Sequence, residues 1–356
     1  MTYLINEKLR DLTPYDAHRT ANAIYMDANE SFLPMPEVIR QSVLAAIGKV
    51  DFNRYPDPLA YECCKAFGDY YGADPAMITA GNGSDELISI ILSGFFAKGD
   101  RILLTDPDFS MYAVYAGISE LEITRYKKDT EFRIIPEDLI SLAKEKGCKG
   151  VVLSNPCNPT SQGIDKAGLR RVISELSDLL VIVDEAYMDF WDQSLINEVG
   201  DFDNLIILRT ASKAFGAASI RLGFAVAREN LTKGIRSVKS PYNVSSTTQA
   251  AGVALLSHPD SHKKALKEIL AGRDYLMSEL TKLEAGWAKT PNAFSLVAAP
   301  KTNFVVLRFS DKAKHIEIYN YMKKSGIAIR CFPDFLRVTV GSDYENRAFL
   351  GALAEI

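Results

Sequence analysis

The segment NLIILRTASKAFGAASIRLG (residues 204–223) decides the fold class of this chain. It opens with a short, continuous apolar run rich in isoleucine and leucine, which is typical of a parallel strand covered on both faces. Lys213 follows the end of that strand among small residues. Open α/β sheets bind ligands outside the carboxyl ends of their strands, so a lysine at this point is expected to face a ligand crevice. A solvated loop lysine is the plainer alternative.

Apolar runs alternate with amphipathic stretches from about residue 78 onward. The runs predict strands, and apolar residues at three- and four-residue spacing between them predict helices. The predicted strands are 101–106, 121–126, 150–155, 179–185, 204–210 and 222–227. The predicted helices include 84–97, 136–146 and 165–177. This βαβα order predicts an α/β fold with a large, mostly parallel sheet covered by helices.

The character of the sequence changes near residue 245. A long helical region at 246–284 precedes predicted strands at 302–309 and 336–341, which indicates a smaller α+β domain. We therefore expect an N-terminal arm with part of the small domain at 1–50, a large domain at 51–245 and a small C-terminal domain at 246–356.

Composition limits the possible partners and compartments. The 356 residues carry a net charge of −4, which argues against a general nucleic-acid binder. The longest apolar stretch, 87–97, is too short to span a bilayer, and the N-terminus lacks the apolar centre of a signal peptide. We expect a cytoplasmic protein that binds neither nucleic acid nor membrane.

Cysteine and histidine supply no obvious metal or triad chemistry. The five cysteines show neither zinc-site spacing nor an even disulfide framework, so we expect buried or surface thiols. The four histidines, His18, His258, His262 and His315, lie outside every motif described below. Metal ligation and a Ser-His-Asp mechanism therefore lack their usual residues, and no metal is expected.

Two glycine- or proline-rich segments place polar groups at turns. In TAGNGSDELI (79–88), glycines precede an amphipathic helix, where backbone N–H groups and the helix dipole favour a phosphate; an ordinary capped helix is the alternative. SNPCNPTSQG (154–163) follows a strand end and contains two Asn-Pro steps, which predict a turn with fixed backbone and outward amides, or a plain loop.

A carboxylate is predicted at a buried strand end. VIVDEAYMDF (181–190) puts Asp184 at the end of an apolar strand and Tyr187 three residues later. Burying a carboxylate is costly unless it meets a positive partner. A plain ion pair with Lys213 is one such arrangement.

Together these groups suit a cofactor that carries a phosphate, a basic ring nitrogen and an aldehyde. Asp184 would take the ring nitrogen, and Lys213 would bind the aldehyde covalently. The anchors for the phosphate would be Gly83, Ser84, Asp85, Ser212 and Arg221. Pyridoxal 5'-phosphate needs this set of partners.

Eleven motifs in order across nearly the whole chain carry a family resemblance. They are LRDLTPY (9–15), DANES (27–31), RYPDP (54–58), GNGSDELI (81–88), DPDFSMY (106–112), NPCNPT (155–160), VDEAY (183–187), SKAFG (212–216), RLGFA (221–225), SPYNVSSTTQAA (240–251) and LRVTVG (336–341). With them the chain resembles fold-type I pyridoxal-phosphate-dependent aminotransferases of the class-II family, and among these most closely the histidinol-phosphate aminotransferases.

The resemblance implies further cofactor contacts. Asn158 and Tyr187 would donate hydrogen bonds to the ring hydroxyl oxygen, and Phe109 would stack on the ring face. Tyr55 would reach the cofactor phosphate of a neighbouring subunit, which implies a homodimer. Lys213 would also serve as the base that moves the proton of the reaction.

The resemblance also implies the reaction. An amino group would pass between glutamate and imidazole-acetol phosphate, giving 2-oxoglutarate and histidinol phosphate, a step of histidine biosynthesis. Arg337, expected to begin a short strand, could bind carboxylate or phosphate with its planar fork, with Arg330 nearby and Asn29 as a further substrate contact. Only CFPDFL separates the two arginines, where relatives carry a longer loop. Ser161 and Gln162 also precede Gly163, where relatives place a glycine directly after Asn-Pro-Thr.

Other functions compete with this interpretation. A transaminase for aromatic or other amino acids and a threonine-phosphate decarboxylase would use the same scaffold. A non-catalytic, cofactor-binding regulatory domain is disfavoured because Lys213 is present. A nicotinamide dehydrogenase would need a third glycine that GNGSDE (81–86) lacks.

Overall fold

The computed structural model describes residues 4–10, 12, 23–290, 293–309 and 311–356. Most of the motif at 9–15 and His18 lie outside the described residues. The strands are β1 (Ile24–Tyr25), β2 (Ile78–Gly81), β3 (Arg101–Asp106), β4 (Glu122–Lys127), β5 (Gly150–Ser154), β6 (Leu180–Asp184), β7 (Leu205–Thr210), β8 (Gly223–Ala227), β9 (Phe294–Leu296), β10 (Phe304–Phe309), β11 (Ile327–Ala328), β12 (Arg330–Cys331) and β13 (Phe335–Thr339). The α-helices are α1 (Glu37–Ile47), α2 (Tyr61–Tyr71), α3 (Ser84–Phe95), α4 (Met111–Ile118), α5 (Pro136–Glu145), α6 (Lys166–Glu175), α7 (Glu229–Val238), α8 (Ser246–Leu256), α9 (Pro259–Trp287), α10 (Lys312–Lys324) and α11 (Asp343–Ala354).

A seven-stranded sheet with the order β2-β8-β7-β6-β5-β3-β4 forms the larger layer of the fold. Strands β3 to β7 are parallel to their neighbours among themselves, and β8 is antiparallel to both β7 and β2. The chain passes from β7 to β8 with only a short 3-10 turn between them, so it lacks the crossover helix that a parallel return needs. The sheet is therefore mostly parallel, as predicted.

Both faces of this sheet are covered. Val151 and Leu153 pack into one buried cluster, and Val152 between them packs into another on the opposite face. Successive side chains of a strand point to opposite faces, so a strand buried on both sides needs a continuous apolar run. This explains why the strands of this layer are visible in the sequence.

The smaller sheet is antiparallel, with the order β12-β13-β10-β9. The separate strand β1 pairs in parallel with β11, so Ile24 lies opposite Ile327. A segment from the start of the chain therefore joins the C-terminal part of the fold. The domain boundaries at 50/51 and 245/246 remain predictions.

The structure corrects two predicted elements. The helical region expected at 246–284 is two helices, α8 and α9, separated at Ser257 and His258. Pro259 occupies the first turn of α9, where its missing N–H is tolerated, although it could not continue α8. Strand β2 was not predicted, because its small residues give no strong apolar signal. None of the described helices is both long and apolar enough to cross a bilayer.

Candidate active site

The candidate site lies where the parallel strands end. Asp184 is the last residue of β6, and Lys213 follows β7 by three residues. The turn that carries Asn158 follows β5. Since the carboxyl ends of parallel strands meet at one edge of the sheet, the fold brings these three side chains to one crevice, as the sequence indicates.

Lys213 is half-buried and faces the N-terminal segment. Its Nζ donates a hydrogen bond of 2.9 Å to the carbonyl of Ala28 and lies 5.7 Å from the ring centre of Tyr187. The two oxygens of Asp184 accept hydrogen bonds from other groups. Among the described contacts there is no ion pair between Lys213 and Asp184, so the plain ion-pair alternative is wrong.

Asp184 is a buried carboxyl group whose hydrogen-bond donors among the described residues are neutral. Its Oδ2 accepts from the hydroxyl of Tyr112 at 2.8 Å, and its Oδ1 accepts from the backbone N–H of Ala186 at 3.0 Å. Burial raises the pKa of Asp184 to about 7, although both hydrogen bonds act in the opposite direction. A buried carboxyl with a raised pKa is stabilised as the anion when a cation meets it, so the site favours a positively charged ligand group.

A cradle for an anion forms at the start of α3. Gly83 has a φ of +84°, which favours glycine, and a Cβ there would lie 2.6 Å from Nη2 of Arg221. The guanidinium therefore lies directly over the glycine. Nη2 of Arg221 is also 3.2 Å from a carboxylate oxygen of Asp85. Arg221 itself has a φ of +50°, an uncommon conformation for a non-glycine residue that is often found at functional sites.

Two further residues complete this cradle. A Cβ on Gly223 would lie 2.3 Å from the backbone N of Ser84, so only glycine lets β8 approach the first turn of α3. Thr210 pairs with Gly223 across the sheet, and its hydroxyl hydrogen-bonds that of Ser212 at 2.9 Å. The residues predicted to anchor a phosphate are thus brought together around one helix N-terminus.

The groups predicted to contact the cofactor ring and the substrate form two hydrogen-bonded clusters, one around Asn29 and one around Arg337. Asn29 donates to the hydroxyl of Tyr187 at 2.8 Å and accepts from Thr339 at 3.1 Å. Arg337 is buried and donates both to the side-chain oxygen of Asn158 and to a carbonyl of the N-terminal segment. The smaller sheet, the N-terminal segment and the β5 turn therefore converge on the same crevice.

The two arginines lie on neighbouring strands of the smaller sheet. Arg330 of β12 is the direct partner of Arg337 of β13 in antiparallel register, so both side chains point to the same face. Arg337 is the third residue of its strand, not the first as expected, because β13 already begins at Phe335. The short CFPDFL segment accordingly forms a tight hairpin, in which Cys331 pairs with Leu336.

The sequence matches the model of a known protein family. The model for class I and class II aminotransferases matches residues 21–353. The chain belongs to this family. The fold-type I resemblance inferred from the motifs is thereby confirmed.

Individual relatives agree with this assignment. The aminotransferase is 37% identical over 348 residues to a histidinol-phosphate aminotransferase from Clostridium novyi (strain NT), covering 96% of this chain and 94% of that one. It is 36% identical over 360 residues to another from Clostridium kluyveri (strain NBRC 12016), covering 99% and 98%. The crystal structure of a histidinol-phosphate aminotransferase from Sinorhizobium meliloti in complex with pyridoxal-5'-phosphate matches with a TM-score of 0.85 at 22% identity, covering 99% of this chain and 96% of that one.

One predicted site residue of the aminotransferase, Tyr55, has no described contact with Lys213, Asp184 or Arg221. Tyr55 is 80% exposed and stacks on Tyr242, with ring centres 4.5 Å apart. Phe109, in contrast, lies at the site, where its ring meets Tyr112 edge-on at 5.5 Å.

Sequence reasoning assigned no role to Tyr112. This side chain is fully buried and is the described side-chain partner of Asp184. It belongs to the DPDFSMY motif and follows Phe109 by three residues, a spacing that places both on one side of a helical turn. That spacing is the signal that could have predicted its position.

Proposed function

We propose that this aminotransferase binds pyridoxal 5'-phosphate and transfers an amino group between glutamate and imidazole-acetol phosphate, producing 2-oxoglutarate and histidinol phosphate in histidine biosynthesis. The identity of 36–37% to two histidinol-phosphate aminotransferases over nearly the full length supports this substrate pair. The structural observation that carries the proposal is Asp184, a buried carboxyl that lacks a cationic partner among the described residues and lies at the strand ends beside Lys213.

The residues of the crevice fit the three reactive groups of the cofactor. Asp184 suits a protonated ring nitrogen, the Gly83 turn beneath Arg221 suits a phosphate, and Lys213 offers an amine for the aldehyde. When bound, the cofactor supplies a ring that takes up electrons from the substrate's reacting carbon. Tyr187 and Asn158 would orient the ring hydroxyl, and Phe109 would cover the ring face.

Lys213 would have two tasks. It would hold the cofactor before substrate arrives, and once released it would accept and return a proton at Nζ. The carbonyl of Ala28 already fixes that Nζ at 2.9 Å, which keeps the amine inside the crevice. A base held near the reacting atoms in this way typically contributes about 10²- to 10⁴-fold to the rate.

Arg337, Arg330 and Asn29 would recognise the substrates. Both substrates carry an anionic group, a carboxylate in glutamate and a phosphate in histidinol phosphate, and a guanidinium binds either one bidentately. The cross-strand register puts Arg330 and Arg337 on one face, so the same surface can serve both half-reactions.

The enzyme would work as a homodimer in the cytoplasm. The exposed stacked pair Tyr55 and Tyr242 offers an apolar surface that a second subunit would cover. Charged metabolites such as the proposed substrates do not cross membranes unaided. We therefore expect the enzyme in the cytoplasm, the compartment in which these metabolites are made.

The test is a coupled assay of purified protein with histidinol phosphate and 2-oxoglutarate, run beside phenylalanine and threonine phosphate. We expect turnover of histidinol phosphate to exceed that of the other two. Lys213→Ala should abolish the visible absorption band of the bound cofactor and lower turnover by about 10²- to 10⁴-fold. Lys127→Ala, at an exposed position on β4, is the matched control and should leave both unchanged. A protein that never acquires the band with added pyridoxal 5'-phosphate contradicts the proposal.

A further inference from the structure

We propose that Tyr112 is a positioning residue that keeps Asp184 ionised and oriented toward the ring nitrogen of the cofactor. The inference rests on the proposed function, because it concerns the pairing between Asp184 and that nitrogen. It assigns a role to a side chain that does not itself contact the substrate.

The geometry limits what Asp184 can do. One oxygen is held by the Tyr112 hydroxyl at 2.8 Å and the other by the Ala186 N–H at 3.0 Å. With one donor on each oxygen, the carboxyl plane is fixed from both ends. A planar carboxylate held in this way presents its remaining lone pairs in a defined direction, as a charge-assisted hydrogen bond to a ring N–H requires.

The charges around Asp184 make this hydrogen bond important. Asp85, at the start of α3, and Asp108, in the loop before α4, face Asp184. Their negative charges raise the pKa of Asp184 in addition to the rise caused by burial. Lys128 lies 3.7 Å from Asp108, so its charge is engaged there. Tyr112 and the backbone of Ala186 are the described groups that lower the pKa of Asp184, and the Tyr112 hydroxyl has the larger effect of the two.

Tyr112 is suited to act only as a donor. Burial, reinforced by Asp184 and Asp108, raises the pKa of its hydroxyl well above the usual value, so the proton stays on the oxygen at neutral pH. Its ring is also fixed, since it packs inside the cluster beneath the sheet and meets Phe109 edge-on at an interplanar angle of 83°. One side chain thus contacts both the residue proposed for the ring nitrogen and the residue proposed for the ring face.

Tyr112→Phe isolates the hydroxyl, because it leaves the packing of the ring in place. In the holoenzyme we expect the affinity for pyridoxal 5'-phosphate to fall about 10- to 100-fold, the effect of one buried hydrogen bond to a charged group. The pH midpoint of the visible absorption change should rise by roughly half a unit to one unit, because a ring nitrogen that holds its proton less firmly withdraws less charge from the bond to Lys213.

A matched control and a double variant separate this role from simple packing. Tyr126→Phe also removes a buried tyrosine hydroxyl with one hydrogen bond, from the N–H of Ile135, and should change neither quantity. In an Asp184→Asn background, Tyr112→Phe should change the affinity by less than about twofold and the pH midpoint by less than about 0.3 unit, because the group through which it acts is gone. Tyr112→His keeps a donor on a ring and should retain an affinity within about threefold of the wild type; an affinity as low as that of Asp184→Asn overturns the proposal.

The outcomes distinguish this inference from the proposed function. If Tyr112→Phe matches the wild type, or if its effect persists in the Asp184→Asn background, the positioning role is wrong while the cofactor assignment stands. If the wild-type protein does not bind pyridoxal 5'-phosphate through Lys213, the proposed function fails and this inference fails with it.

Discussion

Asp184 is a buried carboxyl group whose ionisation is unfavourable in the apoprotein. Burial raises its pKa to about 7. Among the described residues it accepts two hydrogen bonds and forms no ion pair. Because the folded-state pKa lies above that of the unfolded chain, the folded apoprotein is penalised whenever this carboxyl ionises. A protonated ring nitrogen bound beside it would remove that penalty, so the same residue destabilises the apoprotein and favours cofactor binding.

Asp184→Asn therefore should stabilise the apoprotein in a pH-dependent way. As pH rises from about 4 to about 7, the unfolded wild-type chain ionises this carboxyl while the folded chain still holds the proton, so wild-type stability falls relative to the variant. We expect the difference to reach up to about 4 kcal/mol at pH 8 and to narrow toward pH 4, measured by urea unfolding of both apoproteins. Asp178→Asn, at an exposed position, is the control. A difference that does not vary with pH would show that Asp184 is not the titrating group.

At the scale of elements, the hairpin of β12 and β13 presents the charge that the substrates need. Arg330 and Arg337 face the same side in register, and Arg337 is further fixed by Asn158 and the carbonyl of Asp27. Rigid strands hold a bidentate fork more accurately than a long loop would. The short CFPDFL connection is therefore consistent with a site for anionic substrates.

Arg337→Lys tests whether this fork serves both substrates. Lysine keeps the charge and loses the planar pair of donors, so we expect kcat/KM to fall by roughly 2–3 kcal/mol, about 30- to 150-fold, for glutamate and for histidinol phosphate alike. Arg347→Lys, on the exposed face of α11, is the control. Loss for one substrate alone would place the two anions at separate sites, and loss for neither would make Arg337 a structural link between Asn158 and Asp27.

The sequence predicts elements well where their apolar period is local. The strands around Lys213 and Asp184 are predictable because both faces of the sheet are buried, whereas the small residues of β2 give no such signal. The sequence could place the cofactor residues at strand ends, but it could not show that Tyr112 meets Asp184. That contact joins residues 72 positions apart, and no periodicity encodes it.

At the scale of the whole molecule, distant segments close the site. Asn29 bonds Thr339 across 310 positions, and Ser161 meets Thr302 at 2.6 Å, with the backbone of Lys301 donating to the same serine hydroxyl at 2.9 Å. Ser161 and Gln162 are thus contacts between the β5 turn and the segment before β10. Gln162 also accepts a hydrogen bond from Nζ of Lys301 at 2.8 Å. The turn for which the resemblance implies a glycine directly after Asn-Pro-Thr is therefore held by side-chain contacts in this chain.

The exposed Tyr55 concerns the assembly of the whole molecule, because its proposed partner is another subunit. It lies in a segment with several other exposed large apolar side chains, including Phe52 at 77% and Tyr61 at 55%. Exposed apolar side chains of this kind fit the interface proposed for Tyr55. We expect a homodimer at micromolar concentration by light scattering, and Tyr55→Ala should lower the affinity for pyridoxal 5'-phosphate about tenfold or more, because a hydrogen bond to phosphate is lost. Tyr344→Ala, at a similarly exposed position on α11, should change neither property.

Mixing two variants that are each inactive at low cofactor concentration decides whether the tyrosine acts across the interface. Tyr55→Ala and Lys213→Ala subunits, unfolded together and refolded in equal amounts, should form mixed dimers in about half of the molecules. In each mixed dimer, one site combines the intact Lys213 of one subunit with the intact Tyr55 of the other. Activity at low cofactor concentration should therefore recover to about a quarter of the wild-type value. If Tyr55 instead served its own subunit, every site would still lack one of the two residues, and mixing would restore nothing. A fully active monomer would contradict the interface and the role of Tyr55 together.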